Sequence, residues 1–281
     1  MTKDAGVIDY LEPVDVDRLA IAGMYDELPL WSAPFGLRLL DRVRMRPGFT
    51  YLDVGAGTGF MSLELAQRCG PGSVVIAVDP WAAAMDQLAR KAAHLQLSNI
   101  RLLQQDAATI DVADASVDVI VSNLGLNNFD NADAVLATCR RVAKTGGQLI
   151  LTTNLVGHMR EFYDIFHETL ENLGMSEQIP ALEAHVQHRA TVEGACRRLE
   201  RAGFFVTQAT TESIRMRFAD GSSLLRHHFI RLGFMQGWKA IVPAEAAWET
   251  FTTLERALNE AANANGELAL SIPMACIEAR T

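Results

Sequence analysis

Cysteine is scarce in this chain and never clustered. Cys69, Cys139, Cys196 and Cys276 stand far apart and form no C-x-x-C pair. That argues against a zinc site or a disulfide framework and favours a reducing compartment. Basic residues are outnumbered, 25 Lys and Arg against 34 Asp and Glu, giving a formal net charge of −9. Such a surface is a poor match for a nucleic-acid groove. No apolar run reaches the roughly 18–20 residues of a membrane span. The N-terminal MTKDAGVIDYLEP carries acids where a secretory signal needs an apolar stretch. Repeats and low-complexity linkers are missing too. The expectation is a soluble cytoplasmic protein with no nucleic-acid or membrane partner. Its 281 residues, 49% of them hydrophobic, suffice for a large core.

The pattern along the chain is regular between about Thr50 and Thr153. TYLDVG, SVVIAVD, IRLLQQD, VDVIVSN and QLILTTN are short apolar runs that read as buried strands. Between them FMSLELAQRC, PWAAAMDQLARKAAHL and NADAVLATCRRVA show helical periodicity, and KTGG reads as a turn before the fifth strand. Strands alternating with helices predict parallel β-α units, with right-handed crossovers putting helices on both faces. Upstream, SAPFGLRLLDRV reads as a helix with Ser32 as N-cap and Phe35 and Leu39 on one face. Downstream, MREFYDIFHETLENLG, TVEGACRRLERAGF, SSLLRHHFIRLGF and AEAAWETFTTLERALNEAANAN read as helices, and FFVTQATTESIRMRF and ELALSIPMACIEAR as strands. The expected fold is therefore α/β. It is a doubly wound, seven-stranded, mostly parallel sheet with the last strand antiparallel, plus helical lid additions. Four segments follow: a helical lid segment at 1–45, a core at 46–218, a helical insertion at 219–265 and the last core strand at 266–281.

YLDVGAGTGF, residues 51–60, sets Gly55, Gly57 and Gly59 directly after the first strand. In a doubly wound sheet that is the ligand end, where a backbone without Cβ atoms turns sharply and lets a ligand approach. The nucleotide-phosphate fingerprint is G-x-G-x-x-G; here the third glycine arrives one residue early and Phe60 takes its place. The G-K-[ST] of a P-loop is absent. Asp79 ends the second strand twenty residues after Gly59, where an acid accepts hydrogen bonds from ribose hydroxyls. Together these suit an adenosine compound with no pyrophosphate, and speak against a nicotinamide-dependent oxidoreductase.

LDVGAGTGF, the acid of VIAVDPW, QQDA, VDVIVSNLGLNNF and CRRVAKTGGQLILTT occur in order. In that order and spacing they resemble the class I S-adenosylmethionine-dependent methyltransferases, closely over about residues 45–155. The resemblance implies S-adenosylmethionine as cofactor and S-adenosylhomocysteine as product. It gives Asp53 the methionine amino group, directly or through water, and Gly55, Ala56, Gly57, Thr58 and Gly59 close backbone approach. Asp79 takes the ribose hydroxyls. Pro80 and Trp81 follow it, with Trp81 either packing on adenine or serving as a helix-face core residue. Asp106 and Ala107 meet the adenine edge, although Asp106 also suits an N-cap. Asn123 and Leu124 lie beside the sulfonium.

The acceptor is expected to be a small molecule, methylated on oxygen or carbon in preference to nitrogen. The N/D-P-P-Y/F motif of amino methyltransferases has no match in SNLGLNN, and Asp130 and Asn131 are too isolated for a metal-dependent catechol type. Tyr25, Trp31, Asn127 and Trp238 are candidate acceptor contacts, and His158 and His228 candidate general bases. Loop hydrogen bonding is the other reading of His158, and scaffold or dimer contact that of the insertion with Arg226, His227 and Phe234. HVQH at 185–188 reads as a solvated helix face, and no metal site is expected. The alternative to an enzyme is a protein that binds S-adenosylmethionine without turnover. The oligomeric state stays open, a homodimer included.

Overall fold

The computed structural model describes residues 8–15, 17–26 and 31–281. The rest of the expected 1–45 lid segment, and of the MTKDAGVIDYLEP stretch, lies outside the described residues. In chain order the helices and strands are α1 (Leu19–Asp26), α2 (Ala33–Leu40), β1 (Thr50–Val54), α3 (Phe60–Cys69), β2 (Val74–Val78), α4 (Ala82–His94) and β3 (Ile100–Leu103). β4 (Val117–Asn123), α5 (Ala132–Val142), β5 (Ala143–Asn154), α6 (Arg160–Asn172), α7 (Ile179–Gln187), α8 (Val192–Arg201) and β6 (Phe205–Phe218) follow. The chain ends with α9 (Gly221–Arg226), α10 (His228–Gly233), α11 (Met235–Lys239), α12 (Ala247–Asn265) and β7 (Leu268–Arg280).

The sheet has seven strands in the order β3-β2-β1-β4-β5-β7-β6. β1 to β5 pair in parallel, and β7 runs antiparallel to β5, with Leu151 opposite Ile277. Strand periodicity sends alternate side chains to opposite faces. Leu52, Val54, Ile120, Leu149 and Leu151 pack with Val135, Cys139, Ala195 and Leu199 of α5 and α8. Tyr51, Val75, Val119 and Ile150 pack on the other side with Leu39, Met61 and Leu65 of α2 and α3, and Ala77 with Met85 and Leu88 of α4. Both faces are thus covered, which is what the near-continuous apolar runs of a parallel sheet require.

Two compact units divide the chain. The sheet unit comprises 16–155, 189–212 and 274–281, and the helical unit 1–15, 156–188 and 213–273. This differs from the division expected from sequence, because 156–188 groups with the 219–265 insertion and not with the core. In the helical unit Phe162 and Phe166 of α6, Trp238 of α11 and Phe251 of α12 form an aromatic interior. Tyr10 is buried there and donates its hydroxyl to Glu255 at 2.9 Å, and Glu255 also accepts from Arg226 and Ser222 at 2.6 Å each.

Two local expectations change. KTGG is not a turn but part of β5, where Gly146 (φ +72°) marks an irregularity and the pairing with β4 slips register. The single helix expected over SSLLRHHFIRLGF is broken, because His227 is extended (φ −65°, ψ 128°) between α9 and α10.

Candidate functional site

β1 delivers Asp53 to the ligand end of the sheet, and the glycine loop follows at once. The N–H groups of Gly55 and Ala56 both donate to the Val78 carbonyl, at 2.9 and 3.0 Å, which ties the loop to the end of β2. Gly57 (φ +52°) has open space where a Cβ would be, so its backbone is free for a close approach. Gly59 (φ +92°) is needed for another reason. A Cβ there would come within 2.1 Å of Leu88 Cδ1, so glycine is what lets α3 and α4 pack.

Two carboxylates hold this loop. Asp79, at the end of β2, accepts from the Gly57 N–H at 2.8 Å through one oxygen and from the Trp81 N–H at 2.9 Å through the other. Burial raises its pKa above the ordinary value, and the two amides pull it back part of the way. Each oxygen keeps a lone pair for a hydroxyl donor. Asp53 is only 1% exposed and accepts from Ser62 Oγ at 2.5 Å, which links β1 to the first turn of α3. Burial pushes its carboxyl up to about 7; the Ser62 hydrogen bond opposes that and the Asp79 charge adds to it.

At the end of β4, Asn123 accepts from Thr152 Oγ1 at 2.6 Å and donates to the Ser32 carbonyl at 3.1 Å, joining β5 and the start of α2 to the same spot. Leu124 takes a left-handed φ of +67°, and its N–H donates to the Thr152 carbonyl at 3.0 Å. A non-glycine residue held there is strained, and such strain concentrates at functional sites. Ser32 precedes α2 as expected but makes no side-chain cap. Trp31 stands against Phe35, with ring centroids 5.6 Å apart. At the other side Tyr25 of α1 meets Trp81 edge-on at 5.7 Å. Asp106 is exposed and caps a short 3-10 turn by accepting from the Ala108 N–H at 2.8 Å; Ala107 is buried beside it.

The structure therefore brings Asp53, the glycine loop, Asp79, Trp81 and Tyr25 into one chain of contacts, with Asn123 and Leu124 at the neighbouring strand end. Ser62 and Thr152 are partners that sequence reading missed. Ser62 falls in the first turn after the third glycine, where a side chain can reach back to the preceding strand. Three acceptor-side expectations, for Asn127, Trp238 and His158, are corrected. Asn127 is a brace, donating to the Asn154 carbonyl and Oδ1 at 2.8 Å each and accepting from the Ala190 N–H at 3.0 Å, which occupies both ends of its amide. Trp238 has no exposure and donates its indole N–H to Tyr163 Oη at 3.1 Å, so it belongs to the interior of the helical unit. His158 is 1% exposed and stacked on Phe234 at 5.5 Å, in that same interior. His228 is exposed at the start of α10. His185 of HVQH pairs with Tyr163 Oη at 3.2 Å. Among the described residues no group of three or more His, Cys, Asp or Glu could hold a metal ion, and no helix is long and apolar enough to cross a membrane.

A sheet of this order with a glycine loop after β1 and an acid after β2 is the class I, Rossmann-like methyltransferase arrangement. The family model for the methyltransferase domain matches residues 46–219, and the chain belongs to that family. A nocamycin O-methyltransferase of Saccharothrix syringae is 34% identical over 137 residues, 48% of each chain. A malonyl-[acyl-carrier protein] O-methyltransferase of Xylella fastidiosa is 43% identical over 114 residues, 41% of this chain and 38% of that one. The matched stretch thus spans half or less of these relatives. A solved SAM-dependent methyltransferase from Aquifex aeolicus shares the fold, with a TM-score of 0.53 and 20% identity over 69% of this chain and 92% of that one.

Proposed function

We propose that this chain binds S-adenosylmethionine across the ends of β1, β2 and β4 and transfers its methyl group to an oxygen or carbon of a small molecule. The observation that carries the reading is Asp79. It bridges Gly57 and Trp81 beside a backbone left open at Gly57, and the third glycine comes one residue earlier than the pyrophosphate fingerprint sets it. Oxygen and carbon are both supported, because relatives that match this core are O-methyltransferases and C-methyltransferases by name.

In this reading Asp53 takes the amino group of the cofactor, directly or through water, and Asp79 takes the ribose hydroxyls. Asp106 and Ala107 border the adenine, and Asn123 and Leu124 line the methyl-bearing end. When bound, the cofactor supplies a methyl group on a sulfonium, already a strong electrophile. What the residues contribute is orientation and the exclusion of water. Asn123, fixed by Thr152 and Ser32, holds its strand end rigid for that task. An anionic acceptor oxygen needs no base, and neither His158 nor His228 is assigned that role.

Titration calorimetry with S-adenosylmethionine, S-adenosylhomocysteine and NAD tests the binding half. The two adenosyl compounds are expected to bind and NAD is not; the reverse result ends the proposal. Transfer of labelled methyl to a panel of small hydroxy and carboxylic acids tests the other half. Tight binding with no transfer to any acceptor makes the chain a binding protein.

A further inference from the structure

We infer that Thr152 is a positioning residue through which the site tells S-adenosylmethionine from its demethylated product: its hydroxyl fixes the end of β4 that borders the sulfur. The inference rests on the S-adenosylmethionine reading above, which puts Asn123 and Leu124 at the methyl-bearing end, and adds a residue and a selectivity to it.

Thr152 stands two residues before the end of β5 and is 1% exposed. The direction of each hydrogen bond around it is fixed. The Ser32 carbonyl can only accept, so the Asn123 atom that reaches it at 3.1 Å is the amide nitrogen. The amide oxygen therefore faces Thr152, whose Oγ1 donates to it at 2.6 Å. With its proton committed there, Oγ1 has only lone pairs left. The Leu124 N–H donates to it at 3.3 Å, as well as to the Thr152 carbonyl at 3.0 Å. Asn128 Nδ2 donates to the Leu124 carbonyl at 2.9 Å, so the left-handed Leu124 (φ +67°) is held on both sides. Ser122, one residue before Asn123, is anchored separately, its Oγ donating to the Val54 carbonyl at 2.8 Å. Loss of the Thr152 hydroxyl thus frees Asn123 and Leu124 and leaves the strand itself in place.

S-adenosylmethionine and S-adenosylhomocysteine differ only at the sulfur, by a methyl group and a positive charge. Contacts to adenine, ribose and the amino-acid end are common to both and cancel in the ratio of their affinities. A wall beside the sulfur does not cancel. An amide is a fixed dipole, and its interaction with a sulfonium charge depends on which way it points, while that with a neutral thioether is slight. Leu124 next to it sets the room for the methyl group. When both are released, the form that carries the charge and the methyl loses more than the form without them.

Titration calorimetry with S-adenosylmethionine and S-adenosylhomocysteine on the full chain, with urea unfolding alongside, tests the inference. Thr152→Val keeps the shape of the side chain and deletes the hydroxyl. It is expected to raise the ratio of Kd for S-adenosylmethionine to Kd for S-adenosylhomocysteine about 10-fold. Thr152→Ser keeps the hydroxyl and is expected to stay within about 3-fold of the wild-type ratio. Thr153→Val is the control. Thr153 is equally buried, with its hydroxyl on the Asn154 carbonyl at 3.2 Å, so its loss should lower stability and leave the ratio unchanged. Asn123→Ala removes the amide through which the hydroxyl acts, so the double variant with Thr152→Val should shift the ratio by less than the two single shifts combined. If Thr152→Val does not fold, Thr152→Ala takes its place with the same expected shift. A wild-type ratio in the folded Val or Ala variant overturns the inference, as does an equal shift in Thr153→Val or full additivity with Asn123→Ala. Failure of wild type to bind either compound overturns the cofactor reading itself, and this inference with it.

Discussion

In the sheet unit, Asp79 holds backbone next to open space; in the helical unit, Glu255 holds other side chains. Asp79 spends both oxygens on the loop amides of Gly57 and Trp81. Glu255 spends its oxygens on Tyr10, Arg226 and Ser222. Arg226 also lies over the Tyr10 ring at 4.8 Å. A carboxylate whose partners are loop amides organises a surface that a ligand can use. One whose partners are side chains fixes helices to each other. The comparison predicts that damage to the first kind is read in binding and damage to the second kind in stability.

The largest effect belongs to Asp79. Asp79→Ala removes charge-assisted hydrogen bonds worth about 1.5–3 kcal/mol and should weaken S-adenosylhomocysteine binding roughly 10- to 150-fold. Calorimetry on a variant whose melting curve matches wild type checks it. Unchanged affinity there shows that Asp79 is not the ribose acid. Next comes Gly59→Ala, which drives a methyl group into Leu88 and forces a left-handed φ on a side chain. The expected loss is about 2–3 kcal/mol of stability in urea unfolding. Wild-type stability would show that α4 can shift aside at no cost, and that the third glycine serves only the ligand.

Asp53 gives an effect that depends on pH. Its pKa is about 7 in the fold against an ordinary value of 3.8, so between those values the folded chain holds a proton that the unfolded chain does not. Stability then falls as pH rises through that window and levels off above it. Asp53→Asn lacks the proton and should gain on wild type by about 2 kcal/mol between pH 5 and pH 7. Parallel stability profiles for the two proteins across that range would show that Asp53 is ionised in the fold. If Asp53 receives the cofactor's amino group, binding near pH 6 should also release a proton. Calorimetry in buffers of different ionisation enthalpy reads that directly.

The two units also differ in how far the sequence discloses them. In the sheet unit, short continuous apolar runs alternate with helical stripes, and the buried set of Leu52, Val54, Met85, Leu88, Val135 and Cys139 follows from that pattern. Asp53, Asp79 and the glycines are legible because a strand end fixes where the next residues go. The helical unit lacks that constraint. Only the end of α7, at HVQH, is read as helix from the sequence, and its Pro180 reads as readily as a loop signal as a first-turn proline. Trp238 and His158 stand among aromatic and polar neighbours, a composition shared by lids and cores. Only the contacts to Tyr163 and Phe234 show that they are core. Asn127 fails for a related reason. An amide next to a strand end suits a ligand and a brace equally, and the distinction lies in Asn154 and Ala190, 27 and 63 residues away along the chain.

The smallest expected effect sharpens the contrast most. Tyr10 lies in the helical unit, buried, with its hydroxyl on Glu255 at 2.9 Å and the Phe251 carbonyl at 3.3 Å. Tyr10→Phe keeps the ring and its packing and deletes only the hydroxyl. Glu255 retains Arg226 and Ser222, so the carboxylate is not stranded and the loss should stay near 1 kcal/mol. Burial first, with the Glu255 hydrogen bond and charge after it, raises the Tyr10 pKa well above its ordinary value. Because the phenol is therefore neutral throughout, that loss should be the same at pH 6 and pH 8. S-adenosylhomocysteine affinity should not change, since no group at the strand ends is touched. A stability loss with unaltered binding, set beside the opposite result for Asp79→Ala, separates the two kinds of carboxylate. If Tyr10→Phe instead weakens binding and leaves stability intact, the polar groups of the helical unit serve the ligand as well, and the contrast between the units fails.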